Sequence, residues 1–123
     1  MSFLDLHMTK SPLIVNPNDN SEPVAVVFGV PFDSTHSYKP GCRFGPDVIR
    51  GTFNNIEIFQ PEFGIDLEAV NINDLGNTKH TVVAAEMLQM VENITSELKK
   101  QNKQLIILGG EHLITLGIFT CFP

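Results

Sequence analysis

Leu105-Ile106-Ile107-Leu108-Gly109-Gly110-Glu111-His112-Leu113-Ile114-Thr115 is an apolar run of strand length, two glycines, then a carboxylate and an imidazole. A continuous apolar run, unlike an alternating one, suits a strand covered on both faces, as in parallel sheets. It predicts a strand over Gln104–Leu108 with Glu111 and His112 just past its carboxyl end, where open α/β sheets place their ligands.

Working back along the chain, Val24–Val30 is a second run of this kind. A loop from Pro31 to Gly45 follows, and Pro46 suits the first turn of a helix, where its missing N–H costs nothing. Asp47 complements the dipole of that helix, and Val48, Ile49 and Phe53 recur on one side of it. Ile56–Phe59 alternates like a short strand ended by Pro61, and Asp66–Ile72 reads as a strand leading to a turn at Asp74-Leu75-Gly76-Asn77. Thr78–Gln101 is the clearest helix, with Val83, Met87, Val91, Ile94 and Leu98 forming one apolar stripe. Upstream, Asn16–Ser21 is a polar, turn-prone tract read as surface.

Strand, helix, strand, helix, strand is the alternation of a parallel sheet with right-handed crossovers. The loops after the three strands then open on one edge and carry Asp33, His36, Arg43, Asp74, Glu111 and His112 towards a common rim. Glu111–Phe122 leaves room for only a short covering helix, so the domain is expected to be incomplete.

Composition narrows the functional classes. The chain has 123 residues, 42% hydrophobic and 18% charged, enough for one modest core. Fourteen acids against eight bases give −6 with no basic run, which argues against nucleic acid as a partner. Two cysteines suit a reducing compartment. The first residues lack the pattern of a secretory signal, and no window nears the ~20 apolar residues of a membrane span. A soluble cytoplasmic protein is expected.

His112 is the leading candidate for chemistry, since a neutral imidazole is a common metal ligand; the alternative is a structural histidine satisfied by hydrogen bonds. Glu111 could orient the loop, support a ligand or cap the next helix. Gly109 and Gly110 let the chain turn sharply as it leaves the strand. Arg43, in Pro40–Pro46, is read as holding its loop through a carboxylate, with an anionic ligand as the alternative. Asp33 with His36, and Asp5 with His7, are each too few for a metal site. His80 is read as solvent-facing at the helix start. Ser34, Thr35 and Ser37 show no base-plus-orienter arrangement, and Cys42 could be a nucleophile or simply a small loop residue.

Four segments go further when taken together. Phe28-Gly29-Val30-Pro31-Phe32-Asp33, Pro40-Gly41-Cys42-Arg43-Phe44-Gly45-Pro46-Asp47-Val48-Ile49-Arg50, Asp74-Leu75-Gly76 and Leu108-Gly109-Gly110-Glu111-His112 resemble the ureohydrolases, agmatinases more than arginases, from about Val24 to Thr115. The resemblance implies a three-layer α/β fold around a parallel sheet, of the arginase/deacetylase type, truncated here after about three strands. Residues 1–23 would be a leader segment and 24–123 the N-terminal part of an incomplete domain.

It also implies manganese-dependent hydrolysis of a small cationic guanidino substrate, agmatine favoured, to urea and an amine. A guanidinium is resonance-stabilised, so neutral water attacks it poorly; in the family two Mn2+ ions hold a hydroxide for that attack. Carried over by residue, the metal role falls on His112 alone, with Glu111, Gly109, Gly110 and Arg43 supporting it or shaping its loops and no residue assigned a directly catalytic part. The family's Asp-x-His-x-Asp and Asp-x-Asp ligand motifs do not occur here. The 123-residue chain alone is therefore expected to be inactive, with at most one metal ligand. Leu113 and Lys39 stand where Ser and Arg are commoner, which leaves substrate choice open. An uncovered third strand implies self-association as a homo-oligomer, with neither nucleic acid nor membrane as partner. The competing reading is a non-catalytic βαβαβ binding or assembly module, its diglycine hosting an anion at a helix start.

Overall fold

The computed structural model describes residues 3–9 and 21–122.

 The polar tract expected at Asn16–Ser21 lies outside these residues except for Ser21. The elements run β1 (Met8–Thr9), β2 (Ala25–Val30), α1 (Gly45–Phe53), β3 (Phe59–Gln60), β4 (Ile65–Asp66), β5 (Ile72–Thr78), α2 (Ala84–Lys100), β6 (Gln104–Gly109) and α3 (Ile114–Phe119). Short 3-10 turns sit at Leu4–Leu6, Cys42–Phe44 and Leu67–Ala69.

The main sheet has the order β1-β5-β2-β6. β5 and β6 both pair parallel to β2, as the crossover pattern predicts, and β1 adds an antiparallel edge, Met8 opposite Thr78. β2 is central, and all six of its residues are buried, the outcome expected of an unbroken apolar run. Its side chains alternate between the two faces. Val26, Phe28 and Val30 pack with Met87, Val91, Ile94 and Leu98 of α2 and with Ile114 of α3. The other face meets α1, so helices cover the sheet on both sides in three layers. The α/β class with its parallel core is thus what the structure shows. No helix among the described residues is long and apolar enough to cross a membrane.

Several local readings are corrected. The second main strand is Ile72–Thr78, not Asp66–Ile72. Asp66 instead ends β4, and its carboxylate accepts from the Glu68 N–H at 3.0 Å, which turns the chain into a 3-10 turn where a strand was expected. The strand expected over Ile56–Phe59 shifts to Phe59–Gln60 and pairs with β4 in a separate hairpin. Asp74-Leu75-Gly76-Asn77 is not a turn after the strand but an irregularity inside it: the register with β2 jumps from Asp74 to Asn77 while β2 advances from Val27 to Gly29. Gly76, at φ +88°, supplies the backbone angle this bulge needs. α2 starts at Ala84, not Thr78, so His80 is exposed in the preceding loop and Val83 is an N-terminal flank.

The inward face of α1 is the largest departure. Val48 and Ile49 are exposed, and the residues α1 buries are Pro46 and Arg50. Arg50 is tolerated because every part of its guanidinium is answered. Nε and Nη2 donate to the two carboxylate oxygens of Asp74 at 2.9 Å each, Nη2 also donates to the Gly76 carbonyl at 2.9 Å, and Nη1 reaches Asn77 and Asp47. Asp74 is paired with Val27 in the register and so faces α1, with its side chain fully buried. A fork-to-fork pair of this geometry offsets much of the desolvation cost.

Candidate functional site

The loops after β2 and β6 meet at the carboxyl edge of the sheet. Gly109 closes β6, and Gly110 turns the chain at φ +52°. A Cβ on Gly110 would sit 2.9 Å from the Phe32 carbonyl oxygen and closer still to that of Val30, so space as well as backbone angle demands glycine. The turn brings the Glu111 N–H to the Phe32 carbonyl at 2.8 Å and the Gly110 N–H to the Cys42 carbonyl at 3.3 Å. Two loops far apart in sequence are thus laced together through the backbone.

Glu111 adds a side-chain tie. It is buried, and its carboxylate accepts the Thr35 N–H at 2.9 Å and the Thr35 hydroxyl in a very short contact. Of the roles open to it from the sequence, fastening the β2 loop is the one its contacts display. It does not cap α3, whose N-terminus has no side-chain cap. α3 itself begins at Ile114, four positions after Gly110, so the diglycine does not open a helix and the anion site considered for a binding module is not formed.

Asp33 organises the rest of the β2 loop. Its carboxylate accepts from the Gly41 N–H at 2.7 Å and from Nη1 of Arg43 at 3.1 Å. The Gly41 N–H is the chief reason its carboxyl lies below the usual range; burial opposes this, and Arg43 reinforces it. Arg43 therefore holds a carboxylate, as expected, though through one nitrogen and not as a two-pronged fork. Cys42 beside it has its thiol pushed up by desolvation and by the charges of Asp33 and Glu111, which disfavours the thiolate a nucleophile requires.

His112 lies on an open cavity of about 690 Å³, whose lining includes Thr35, His36, Tyr38, Lys39, Glu111 and Leu116. Its imidazole is exposed and has no side-chain hydrogen bond among the described residues, so it is not a buried histidine satisfied by its surroundings. His36 lines the same cavity, with its Nδ1 against the Asp33 carbonyl. The cavity thus gathers two imidazoles, hydroxyls and one lysine, while Asp33 and Glu111 are spent on the loops.

Of the six residues expected at a common rim, Asp74 does not belong, since it lies within β5 and is committed to Arg50. Asp5 and His7 fall in the turn before β1, where His7 meets the Phe3 ring edge-on at 5.2 Å. Among the described residues no three His, Cys, Asp or Glu side chains converge on a point that could hold a metal ion. The donors present therefore do not by themselves fit a metal pair. Two roles carry no local signal in the sequence: Thr35 is a clasp because it meets Glu111, 76 residues away, and Tyr38 is a cavity wall.

Comparison with known proteins gives a consistent result. Residues 24–122 match the arginase family. The chain is 40% identical over 97 residues to the N(1)-aminopropylagmatine ureohydrolase of Thermococcus kodakarensis, covering 75% of this chain and 33% of that protein. The crystal structure of the agmatine ureohydrolase of Thermoplasma volcanium superposes with a TM-score of 0.81 at 37% identity, over 93% of this chain and 40% of that one. A formiminoglutamase of Trypanosoma cruzi, solved with manganese, shares the fold at a TM-score of 0.64 and 16% identity, over 82% of this chain and 36% of its own. The chain spans about a third of the length of the curated relatives it matches.

Proposed function

The chain belongs to the arginase family, and on that premise we propose that it forms part of a manganese-dependent ureohydrolase site acting on a guanidino substrate, agmatine favoured, in the cytoplasm. The observation that carries this reading is the placement of His112. It stands exposed on the cavity at the carboxyl edge of the sheet, on a turn that Gly110 permits and that Glu111 and Thr35 fasten. Relatives 36–40% identical to this chain are named as an N(1)-aminopropylagmatine ureohydrolase, an agmatinase and an agmatine ureohydrolase, which supports the reading.

In this proposal His112 is one metal ligand, and Glu111, Gly109, Gly110 and Arg43 hold its two loops in register. No catalytic step is assigned to this chain's side chains, because the donors they gather do not amount to a metal pair. The 123-residue chain alone is accordingly inactive. What it contributes is rigidity: a ligand on a turn tied by backbone and carboxylate contacts is placed before any ion arrives, which limits the ordering cost of binding.

The test supplies the uncovered two thirds of an agmatinase relative as a separate polypeptide, coexpressed with this chain, and measures urea from agmatine with manganese. Urea release by the copurified complex, lost in His112→Ala, is the expected result. A complex that forms and binds manganese equally with and without His112, or urea release by the purified 123-residue chain alone, would overturn the proposal.

A further inference from the structure

His36 is held in one orientation and one tautomer by its own loop. The Asp33 carbonyl accepts from it twice, from the main-chain N–H at 3.4 Å and from ring Nδ1 at 2.5 Å. A carbonyl oxygen has no proton to give, so Nδ1 is the donor, and the neutral ring keeps an unprotonated Nε2 that accepts. The support is itself fixed. Asp33 is buried, its carboxylate accepts from the main-chain N–H groups of Gly41 and Arg43 at 2.7 and 3.4 Å, and Thr35, next to His36, is tied to Glu111.

The acceptor nitrogen has no partner among the described residues, and the ring is exposed on the cavity that also holds His112. The charged groups lining that cavity are engaged. Glu111 is taken up by Thr35, and the Lys39 ammonium lies over the Tyr38 ring, 5.2 Å from its centre. His36 therefore offers the cavity a placed hydrogen-bond acceptor whose lone pair the fold does not use.

Resting on the ureohydrolase reading of this cavity, we propose that Nε2 of His36 accepts a hydrogen bond from the terminal ammonium of an aminoalkyl guanidine, which makes His36 a specificity-determining residue for the substrate's tail. The guanidinium belongs on the metal side, with His112, so the other end of the substrate is met by a different wall. An alkylammonium brings three N–H donors and no acceptor, and leaving it unpaired as it enters the cavity is costly. The lone pair of Nε2 answers one of those donors and repels a carboxylate, so the same ring favours an amine tail over a carboxylate tail.

Two substitutions separate this role from a structural one. A glutamine amide reaches the place of Nε2, so His36→Gln keeps an acceptor on the cavity and gives up the Asp33 carbonyl. An asparagine amide reaches only the place of Nδ1, so His36→Asn does the reverse. The coexpressed complex, loaded with manganese, is assayed on agmatine and on butylguanidine, which lacks the amine. His36→Asn is expected to raise KM for agmatine about tenfold or more, with kcat within about twofold and butylguanidine unaffected, whereas His36→Gln stays within about threefold on both. Equal losses on the two substrates, or activity kept by His36→Asn and lost by His36→Gln, would overturn the proposal and leave the ureohydrolase reading standing. No urea from either substrate with the unaltered complex would sink that reading and this proposal with it. Nitrogen-15 spectra of the imidazoles give a second measurement that needs no variant to fold. Nε2 of His36 is expected unprotonated in the neutral ring and shifted by agmatine but not by butylguanidine; a proton on Nε2, or the same shift with both, would overturn the proposal.

Discussion

Replacing Arg50 by methionine isolates the ion pair that joins α1 to β5. The side chain is 4% exposed and that of Asp74 0%, so the substitution strands a carboxylate away from water with little besides the Gly76 N–H at 2.9 Å to answer it. Removing one partner of a buried pair costs about 3–5 kcal/mol. Against a total stability of about 5–15 kcal/mol, that is a large share. For a domain of this length it corresponds to a fall in Tm of roughly 10–20 °C. Asp74→Asn should cost a similar amount, but Arg50→Met combined with Asp74→Asn should cost less than the two together by about 0.5–3 kcal/mol, because neither charge is then left alone. Urea denaturation followed by far-UV circular dichroism, with all four proteins in the cycle, measures these differences. A loss below about 1 kcal/mol for Arg50→Met, or strict additivity in the double variant, would refute the reasoning that the pair acts as a unit.

Gly110→Ala forces a side chain into the left-handed region and against two carbonyl oxygens, so it should destabilise by about 1–3 kcal/mol in the same assay and accelerate amide exchange in the β2 loop. Asp33 bears on the acid side of the stability curve. Its folded pKa is depressed, so its contribution is complete above the unfolded value of about 3.9 and is lost as pH falls through the folded value. Asp33→Asn should therefore lower stability at neutral pH and flatten the curve in the acid range, as chemical denaturation at a series of pH values would show. Cys42, its thiol held up by desolvation and by Asp33 and Glu111, should react with a disulfide reagent at a midpoint pH above that of a free cysteine, and Asp33→Asn should bring that midpoint down.

The parallel core was legible because β2 and β6 are continuous apolar runs, although only β2 is buried along its whole length, while β6 is exposed at Ile106 and half-buried at Leu105, Ile107 and Leu108. Most of the α2 stripe was legible for the corresponding reason, since Met87, Val91, Ile94 and Leu98 are all buried where the helical period puts them. α1 misled because Val48, Ile49 and Phe53 have the same spacing, yet the inward place is taken by Arg50. Its counter-charge sits 24 residues away in β5, and no local pattern announces such a partner. Asp74-Leu75-Gly76 misled in a related way: glycine after aspartate serves a turn and a bulge equally, and only the neighbouring strand decides between them. At the site, His112 could be placed beyond a strand from sequence alone. The clasp by Thr35 could not, because it arises from the pairing of loops and not from either loop.

The central position of β2 has a consequence for synthesis. Its neighbours β5 and β6 are both encoded downstream, and the second is complete only at Gly109. At about 5–20 residues per second, the roughly 80 residues from Val30 onward occupy a ribosome for about 4–16 s. Throughout that interval the most oily segment of the nascent polypeptide has an unfilled flank, making it the natural target for a chaperone that reads short aliphatic stretches.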